Sequence, residues 1–331
     1  MATAQTQVKQ ARTTPTGPQD WPIAAAMIQY PGVLPDGSSV QDQSAQEWAR
    51  TLEDVVDAGF DCVDPTDSWL RLGDLSPERL REFQDVVADL GLRVPVVSTA
   101  RESPVDPEHG EANLALLHRG IDAATTVGAE VFNVGFFRAL APAQKRALWF
   151  WTAPGAQDPD PDVDPGTYRL AVERTRELGR HAAENGLVLS LEMYEDTYLG
   201  TADGAVRFVT DVDLPEVGLN PDLGNLQRLH RPVERWDEMA AKVLPYTNYW
   251  HTKNYLRTED ETTGAITTAP APLETGVMSY RQMLADAVEL GFRGPITCEH
   301  YGGDGLSVSA RNRDYLRGLL GTRRVGRMLA G

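Results

Sequence analysis

One unit recurs along this sequence: an amphipathic segment with helical spacing, a glycine, and a short apolar run rich in β-branched residues. Glycine is favoured just after a helix because it adopts the left-handed backbone that stops the helix. The positions are Gly59, Gly91, Gly128, Gly186 and Gly291. A chain built from such units alternates helix and strand. The repetition therefore predicts an α/β fold whose parallel strands are buried on both faces.

Eight apolar runs qualify as strands, and they begin at Pro22, Gly59, Leu92, Ala129, Leu187, Glu216, Thr247 and Gly294. Helix-start signals lie between them, at Ser44 with Glu47, at Ser76 before Pro77, and at Ser279. A length of 331 residues allows two average domains, but eight units favour a single (β/α)8 TIM barrel. The alternative, an open doubly wound sheet, more often carries a glycine-rich phosphate turn after its first strand, and MIQYPGVLPDG is no such turn.

Charge and composition exclude several classes of function. The chain carries 48 Asp and Glu against 31 Lys and Arg, a formal charge of −17, which disfavours nucleic acid and anionic membranes as partners. Residues 1–20 are polar and lack the apolar core of a secretory signal, so we predict a flexible tail there and a barrel over residues 21–331. Cys62 and Cys298 lie in strand candidates and are expected to be buried free thiols. Because residues 1–20 do not resemble a secretory signal and the cysteines are expected to be free, we expect a cytoplasmic location.

Two connections are longer than the others, and in a barrel both would lie at the C-terminal face, where active sites form. The first follows strand four, from about Arg138 to Gly166, and the second follows strand seven, from about Tyr255 to Met278. The first contains the consecutive aromatic residues Trp149, Phe150 and Trp151. These aromatics predict an interface with a partner chain or a second copy, or a lid over the barrel mouth.

Four side chains able to bind a metal stand at the ends of strand candidates five to eight: Glu192, Asp222, His251 and Glu299. In a barrel these strand ends lie side by side on an arc, so the side chains can converge. Each residue alone is better explained as ion-paired or as part of the core, but four at matching places favour a metal centre. Three carboxylates and one imidazole suit one divalent ion, Mn²⁺ first, with Mg²⁺, Co²⁺ or Ni²⁺ as alternatives.

The Glu–Asp–His–Glu order resembles the ligand set of the xylose isomerase-like superfamily of (β/α)8 barrels, often labelled sugar phosphate isomerase/epimerase. The likeness extends over about residues 22–320. It implies a divalent-metal-dependent sugar enzyme in which Glu192 and Glu299 also act as acid and base. The nuclease branch of the superfamily needs more histidines and a basic face than this chain has.

Departures from the ketose epimerases of that superfamily concern the sugar contacts. Those enzymes commonly carry a His where this chain has Asn225 and a Glu where it has Tyr198, whereas their Arg after strand seven is matched by Arg257. Asn225, Arg257, Tyr194 and Arg138 are the predicted substrate-binding residues. The metal core is thus kept while the predicted sugar contacts differ.

Four segments are similar to the α subunits of bacterial C-glycoside deglycosidases: LEMYEDTYLGTADGAVRFV, GLNPDLGNLQRLHRPVERW, LPYTNYWHTKNY and CEHYGGDGLSVSA. This resemblance implies cleavage of the carbon–carbon bond of 3-oxo-C-glycosides by elimination. It also implies a small β-sandwich β subunit as partner in a hetero-oligomer. A sugar (ketose) isomerase or epimerase is the alternative activity, and a non-catalytic sugar-binding scaffold is the alternative from another class.

Both activities remove a proton from the carbon beside a carbonyl and must stabilise the enolate that forms. Lys253 lies two residues after His251, so the two side chains point to the same face of the strand if the strand continues. Lys253 is a candidate catalytic residue that holds a substrate oxygen or the enolate, with a surface ammonium as the alternative. Asp304, within a glycine-rich run that starts at Gly302, would repel phosphate. We therefore expect a tight turn there and a non-phosphorylated substrate.

Overall fold

The eight predicted strands close into a (β/α)8 barrel in the computed structural model, which describes residues 8–13 and 15–329. The strands are β1 (Ile23–Ala26), β2 (Val63–Asp64), β3 (Val96–Thr99), β4 (Val131–Val134), β5 (Val188–Glu192), β6 (Val217–Asn220), β7 (Trp250–Thr252), β8 (Asn254–Glu259), β9 (Ile266–Ala271) and β10 (Ile296–Cys298). Parallel ladders join β2-β1-β10-β7 and β3-β4-β5-β6, and parallel bridges between Thr66 and Ser98 and between Leu219 and Thr247 connect the two sets. β8 and β9 form a separate antiparallel hairpin.

Helices cover the barrel, and their ends follow the predicted signals. They are α1 (Ala45–Asp57), α2 (Pro77–Asp89), α3 (Gly110–Thr126), α4 (Pro142–Arg146), α5 (Pro165–Glu184), α6 (Ala202–Val212), α7 (Gly224–Gln227), α8 (Trp236–Val243), α9 (Tyr280–Glu289), α10 (Gly305–Leu320) and α11 (Arg323–Leu329). Ser44 and Glu47 form the capping box of α1, and Ser76 and Ser279 cap α2 and α9. The five helix-ending glycines all adopt positive φ, from +68° to +96°. Among the described residues, no helix is long and apolar enough to span a membrane.

The layer between strands and helices is apolar, whereas the barrel interior becomes polar toward its C-terminal end. Large side chains such as Trp48, Phe83 and Phe208 are fully buried in the outer layer. Inside, the Tyr249 hydroxyl donates to Asp64 across the barrel at 2.8 Å. A buried polar layer of this kind needs internal partners, and it forms the floor on which the candidate site lies. Both cysteines are buried and free, as predicted.

Part of the segment predicted as a flexible tail packs against the N-terminal face of the barrel. Ala11 joins a buried cluster with the first residues of β3, β4 and β5, and the Lys9 N–H donates to the Pro215 carbonyl at 2.7 Å. Val8 is also buried. The structure therefore differs from the prediction at residues 8–13, because two apolar residues in this polar segment cover the open end of the barrel. Residues 1–7 lie outside the described part of the chain.

The two long connections follow β4 and β7, as predicted. The first contains α4 and then Trp149, Phe150 and Trp151, which we call the aromatic strap. Trp151 is buried, with its ring centroid 5.6 Å from that of Tyr255 and 5.4 Å from that of Tyr301. The strap therefore packs over this chain's own barrel mouth, and the observation that motivated a partner interface there is better explained by a lid.

Candidate active site

The four predicted metal ligands meet at the C-terminal end of the barrel. Glu192 ends β5, His251 lies in β7, Asp222 follows β6 and Glu299 follows β10. One ligand atom of each residue lies within 4.8 Å of the others, and no member of this ligand cluster is more than 4% exposed. The barrel thus brings together residues that are up to 107 positions apart in the sequence, from 192 to 299.

His251 stands at the centre of the ligand cluster and is oriented from behind. Its Nδ1 lies 3.4 Å from Glu192 Oε2, 3.7 Å from Asp222 Oδ2 and 3.3 Å from Glu299 Oε2. Its Nε2 lies 3.3 Å from Asp64 Oδ2. A carboxylate behind a histidine is the usual support for a metal ligand, because it fixes the ring and raises its basicity. Sequence reasoning missed Asp64, although it too ends a barrel strand.

Unpartnered buried atoms show that the ligand cluster fits a cation. His251 Nδ1 and both Asp222 carboxylate oxygens are buried without a hydrogen bond, although Lys253 Nζ lies 2.6 Å from Asp222 Oδ2. Buried polar atoms without partners are rare in folded proteins. Even with the His251 ring protonated, three carboxylates and one ammonium leave an excess of negative charge in a dry site. The ligand cluster could therefore hold a divalent ion through three oxygen donors and one nitrogen donor.

Two asparagines hold Glu192 in place from opposite sides. Asn133 Nδ2 donates to its Oε2 at 3.0 Å, and Asn225 Nδ2 donates to its Oε1 at 3.2 Å. Burial would raise the pKa of Glu192, but the charges of His251 and Lys253 outweigh it and lower the pKa. Glu192 is therefore ionised, as a ligand must be. Asn225, a predicted substrate contact, also keeps a buried Oδ1 without a partner.

Lys253 is not a surface residue: it is 2% exposed and sits against the ligand cluster. Its Nζ lies 2.6 Å from Asp222 Oδ2 and 2.7 Å from Glu299 Oε1. Burial would lower the pKa of Lys253, but these two carboxylates raise it well above its usual value. The side chain is therefore an ammonium that can donate to a substrate oxygen and cannot act as a base.

A cavity of about 140 Å³ opens beside the ligand cluster. Glu192, Asn225, His251 and Glu299 line one side. Another part of the lining consists of one arginine, one aspartate and four aromatic rings: Arg101, Asp67, Phe137, Phe150, Tyr194 and Tyr301. Tyr194, which the sequence predicted as a substrate contact, lines this wall. A ligand in the cavity would therefore lie between a polar, charged side and an aromatic one.

Two other predicted substrate contacts do not line this cavity. Arg257 donates to the backbone carbonyls of Gln227, Leu229 and Arg231 at 2.6 to 3.0 Å. Arg138 has its Nε 3.2 Å from the buried carboxylate of Asp158. Arg257 binds the preceding loop because the chain forms the β8–β9 hairpin there. Arg138 is held by a carboxylate of the long loop. Their role as substrate contacts stays a prediction.

Sequence reasoning also missed a buried ion pair under the aromatic strap. Arg228 Nη2 donates to both carboxylate oxygens of Glu195 at 2.8 Å. Its guanidinium carbon lies 4.8 Å from the ring centre of Phe150 and 5.0 Å from those of Trp151 and Tyr194. This cation packs against the aromatic strap and holds it over the barrel mouth. The spacing of hydrophobic residues gives no indication of the Arg228–Glu195 ion pair, since both charged residues lie in loops.

The glycine-rich run after β10 is a tight turn, as predicted. Gly302 and Gly303 have φ of +80° and +57°, and Asp304 Oδ1 accepts a hydrogen bond from the Ser307 N–H at 3.0 Å. Asp304 is thus the N-cap of α10. A carboxylate already occupies the helix end at which a phosphate would bind, which agrees with a non-phosphorylated substrate.

Binding of a divalent ion is expected to release a proton from His251. Burial would lower the pKa of His251, but the nearby carboxylates of Glu192, Asp222 and Asp64 raise it well above its usual value. The metal-free imidazole is therefore protonated at neutral pH, and binding requires it to be neutral. Affinity should rise with pH, and calorimetry in buffers of different ionisation enthalpy should show release of about one proton. Affinity that is constant between about pH 6 and 8 without proton release would contradict this.

One family model and several solved structures match this chain. The family model described as xylose isomerase-like TIM barrel matches residues 52–321. A xylose isomerase-like TIM barrel protein from Mycobacterium smegmatis, solved in complex with magnesium, is 51% identical with a TM-score of 0.89, and the match covers 93% of this chain and 99% of that chain. No curated protein matches this sequence.

More distant solved structures share the fold. D-allulose 3-epimerase from Methylomonas sp. is 15% identical with a TM-score of 0.65, over 93% of this chain and 100% of that chain. The 3-keto-D-glucoside 4-epimerase from E. coli is 15% identical with a TM-score of 0.59, over 90% of this chain and 100% of that chain. At this identity the likeness extends to the architecture alone.

Proposed function

The chain belongs to the xylose isomerase-like TIM barrel family, and from that premise we propose that it is a divalent-metal-dependent enzyme that removes a proton beside a sugar carbonyl. The observation that carries the proposal is the ligand cluster: four buried ligands converge beside a cavity, with ligand atoms within 4.8 Å of one another. The magnesium in the 51% identical relative supports a divalent ion here. Mn²⁺ is the ion we propose first, and Mg²⁺, Co²⁺ and Ni²⁺ are the alternatives.

Each residue has a defined task in this proposal. Glu192, Asp222, His251 and Glu299 hold the ion, which when bound would polarise the substrate carbonyl and lower the cost of the enolate. One of the two glutamates, Glu192 or Glu299, takes the proton from carbon at a carboxylate oxygen. Lys253 donates from Nζ to the substrate oxygen that becomes negative. The aromatic strap keeps water away from the enolate.

More specifically, we propose that this chain is the α subunit of a C-glycoside deglycosidase that acts on 3-oxo-C-glycosides. The enolate formed by loss of the proton would expel the aglycone from C1, which breaks the carbon–carbon bond by elimination. Support comes from the four segments that resemble such subunits and from the aromatic wall of the cavity, which suits a flat aglycone. One solved structure that shares the fold is named a 3-keto-D-glucoside 4-epimerase. A 3-keto-glucoside, like a 3-oxo-C-glycoside, carries its ketone at C3 of the sugar. We place this activity in the cytoplasm.

A sugar isomerase or epimerase is the second candidate, favoured by the fold relatives named as epimerases. It would share proton removal but return the proton to the same or a neighbouring carbon. Asn225 and Tyr198 argue against plain ketose epimerisation, since Tyr198 packs in an aromatic group with Phe136 and Phe208 and is no sugar contact.

Incubation of the Mn²⁺-loaded protein with 3-oxo-glucosides and with free ketoses distinguishes these activities. Chromatography of the products should show free aglycone from a 3-oxo-C-glucoside and little change in D-fructose or D-allulose. Epimers of the ketoses without aglycone release would favour the second candidate. Binding without turnover under any divalent ion would favour a non-catalytic scaffold.

A small β subunit is the proposed partner, on the strength of the deglycosidase resemblance. Leu148 and Val163, in the loop that carries the aromatic strap, are 86% and 83% exposed and could contact it. Co-expression with a small β subunit of a C-glycoside deglycosidase, followed by light scattering, tests this. A chain that is fully active alone and gains nothing from the partner would contradict it.

A further inference from the structure

A second group of metal-binding side chains lies on the outside of the barrel, between α3 and α5. It consists of two histidines and two carboxylates, which we call the histidine cluster: His118 and Asp122 on α3, and Glu177 and His181 on α5. His118 Nδ1 lies 2.8 Å from His181 Nδ1, although the two residues are 63 positions apart in the chain. The rings are partly buried and the two carboxylates are exposed, so an ion in solution can reach the cluster.

The carboxylates of the histidine cluster orient its rings. Each helix contributes one histidine and one carboxylate four residues apart, a spacing that places both on one face of the helix. The contacts cross between the helices. Glu177 Oε1 lies 2.8 Å from His118 Nε2, and Asp122 Oδ1 lies 3.0 Å from His181 Nε2. Each ring is thus held through Nε2 by a carboxylate of the other helix, the usual support of a metal-binding histidine, and both Nδ1 atoms face one place.

The distance between the two Nδ1 atoms fits two ligands of one ion. Nitrogens bound at about 2.0 Å and at right angles, as in tetragonal Cu²⁺ or Ni²⁺ sites, stand roughly 2.8 Å apart, and a tetrahedral Zn²⁺ site needs about 3.3 Å. Without an ion, a hydrogen bond between two ring nitrogens requires a hydrogen on one of them, and a bound ion replaces it. The carboxylates of Asp122 and Glu177 then balance the charge of a divalent ion beside two neutral rings.

We infer that His118 and His181 bind one divalent transition-metal ion through their Nδ1 atoms, Cu²⁺ first and Ni²⁺ or Zn²⁺ as alternatives, with water completing the coordination. This site goes beyond the proposed function and is separate from the ligand cluster. Three oxygens and one nitrogen suit Mg²⁺ or Mn²⁺, whereas two imidazoles favour ions later in the transition series. An ion bound here links α3 to α5, so it stabilises the folded barrel.

Titration of the unmodified protein with Cu²⁺ tests this inference, in an excess of Mg²⁺ that fills the ligand cluster. We expect one equivalent of Cu²⁺ to bind and its electron paramagnetic resonance spectrum to show two nitrogen ligands, whereas the ligand cluster offers one. His118→Gln and His181→Gln should each remove the two-nitrogen spectrum. Each should weaken Cu²⁺ binding by more than about 100-fold, since loss of a supporting group alone costs about 10- to 100-fold. Glu177→Gln, which removes such a supporting charge, should weaken it by about tenfold.

His109→Gln is the matched control, because His109 is 71% exposed at the start of α3 and its side chain caps nothing. Cu²⁺ should raise the unfolding midpoint of the unmodified protein and of His109→Gln, but not that of His118→Gln. The inference is overturned by a Cu²⁺ complex without two nitrogen ligands, by a two-nitrogen spectrum that persists in His118→Gln, or by one that is lost in Asp222→Ala. None of these readouts depends on sugar turnover, so this inference and the proposed function stand or fall separately.

Discussion

Replacement of Asp222 by alanine is expected to abolish tight binding of a divalent ion and, with it, turnover. Asp222 is fully buried, and apart from the Lys253 ammonium 2.6 Å from its Oδ2 its carboxylate oxygens have no polar partner among the described residues outside the ligand cluster. Ion affinity should fall by more than about 100-fold, since loss of an outer-shell group alone costs about 10- to 100-fold. Turnover should fall by about 1,000-fold or more, because several kcal/mol of charge stabilisation are lost. Metal analysis after chelation and re-addition measures both.

The barrel should survive this substitution. Residues at the C-terminal ends of barrel strands serve chemistry more than stability, so circular dichroism and the unfolding midpoint should stay near those of the unmodified protein. Asp61→Ala is the control, because Asp61 lies at the opposite end of β2 in an exposed pair with Arg93. Full activity of Asp222→Ala, or equal loss in the control, would contradict the assignment.

Lys253→Met is expected to separate ion binding from turnover. Lys253 Nζ holds Asp222 Oδ2 and Glu299 Oε1 in the metal-free protein and so competes with an ion for these oxygens. Ion affinity should therefore be unchanged or higher in the variant. Turnover should fall by about 100- to 1,000-fold, the usual effect of removing one donor from developing negative charge. Calorimetric titration with Mn²⁺ and product chromatography give the two readouts.

The control for Lys253→Met is Lys242→Met, an exposed lysine on α8 that pairs with Asp203 and Glu234. Unchanged turnover in Lys253→Met would rule out a catalytic role. Parallel loss of ion binding and turnover would show that the ammonium only positions the two carboxylates.

The sequence predicted the barrel and its ligand cluster because both depend on local rules. Helix-ending glycines and apolar runs define the units, and barrel closure brings the strand ends together without any side-chain detail. Asp64 and Asn133 escaped this reasoning because they are single polar residues within buried runs, and only the three-dimensional neighbours reveal them. Asp64 meets His251 from β2, 187 positions earlier in the chain.

Loop residues were predicted less well, because loop conformation depends on contacts between distant segments. Arg257 matches a family position, yet the β8–β9 hairpin turns its guanidinium toward backbone carbonyls. The aromatic strap was compatible with an interface or a lid, and in the structure it packs over the barrel mouth above the buried Arg228–Glu195 pair. Neither the hairpin nor this pair leaves a periodic pattern that sequence reasoning could use.

Exchange of carbon-bound hydrogen with solvent tests whether the protein removes a proton beside the sugar carbonyl, because it detects this step whatever the later fate of the enolate. The chelated protein, reconstituted with Mn²⁺, would be incubated with a 3-oxo-glucoside in D₂O and followed by proton NMR. We expect deuterium to enter the carbon beside the carbonyl, or elimination products to form, in the presence of Mn²⁺ and not in its absence. Asp222→Ala should show neither result with Mn²⁺. Exchange at equal rates with and without a divalent ion, or no exchange and no product in the ion-loaded protein, would contradict this expectation.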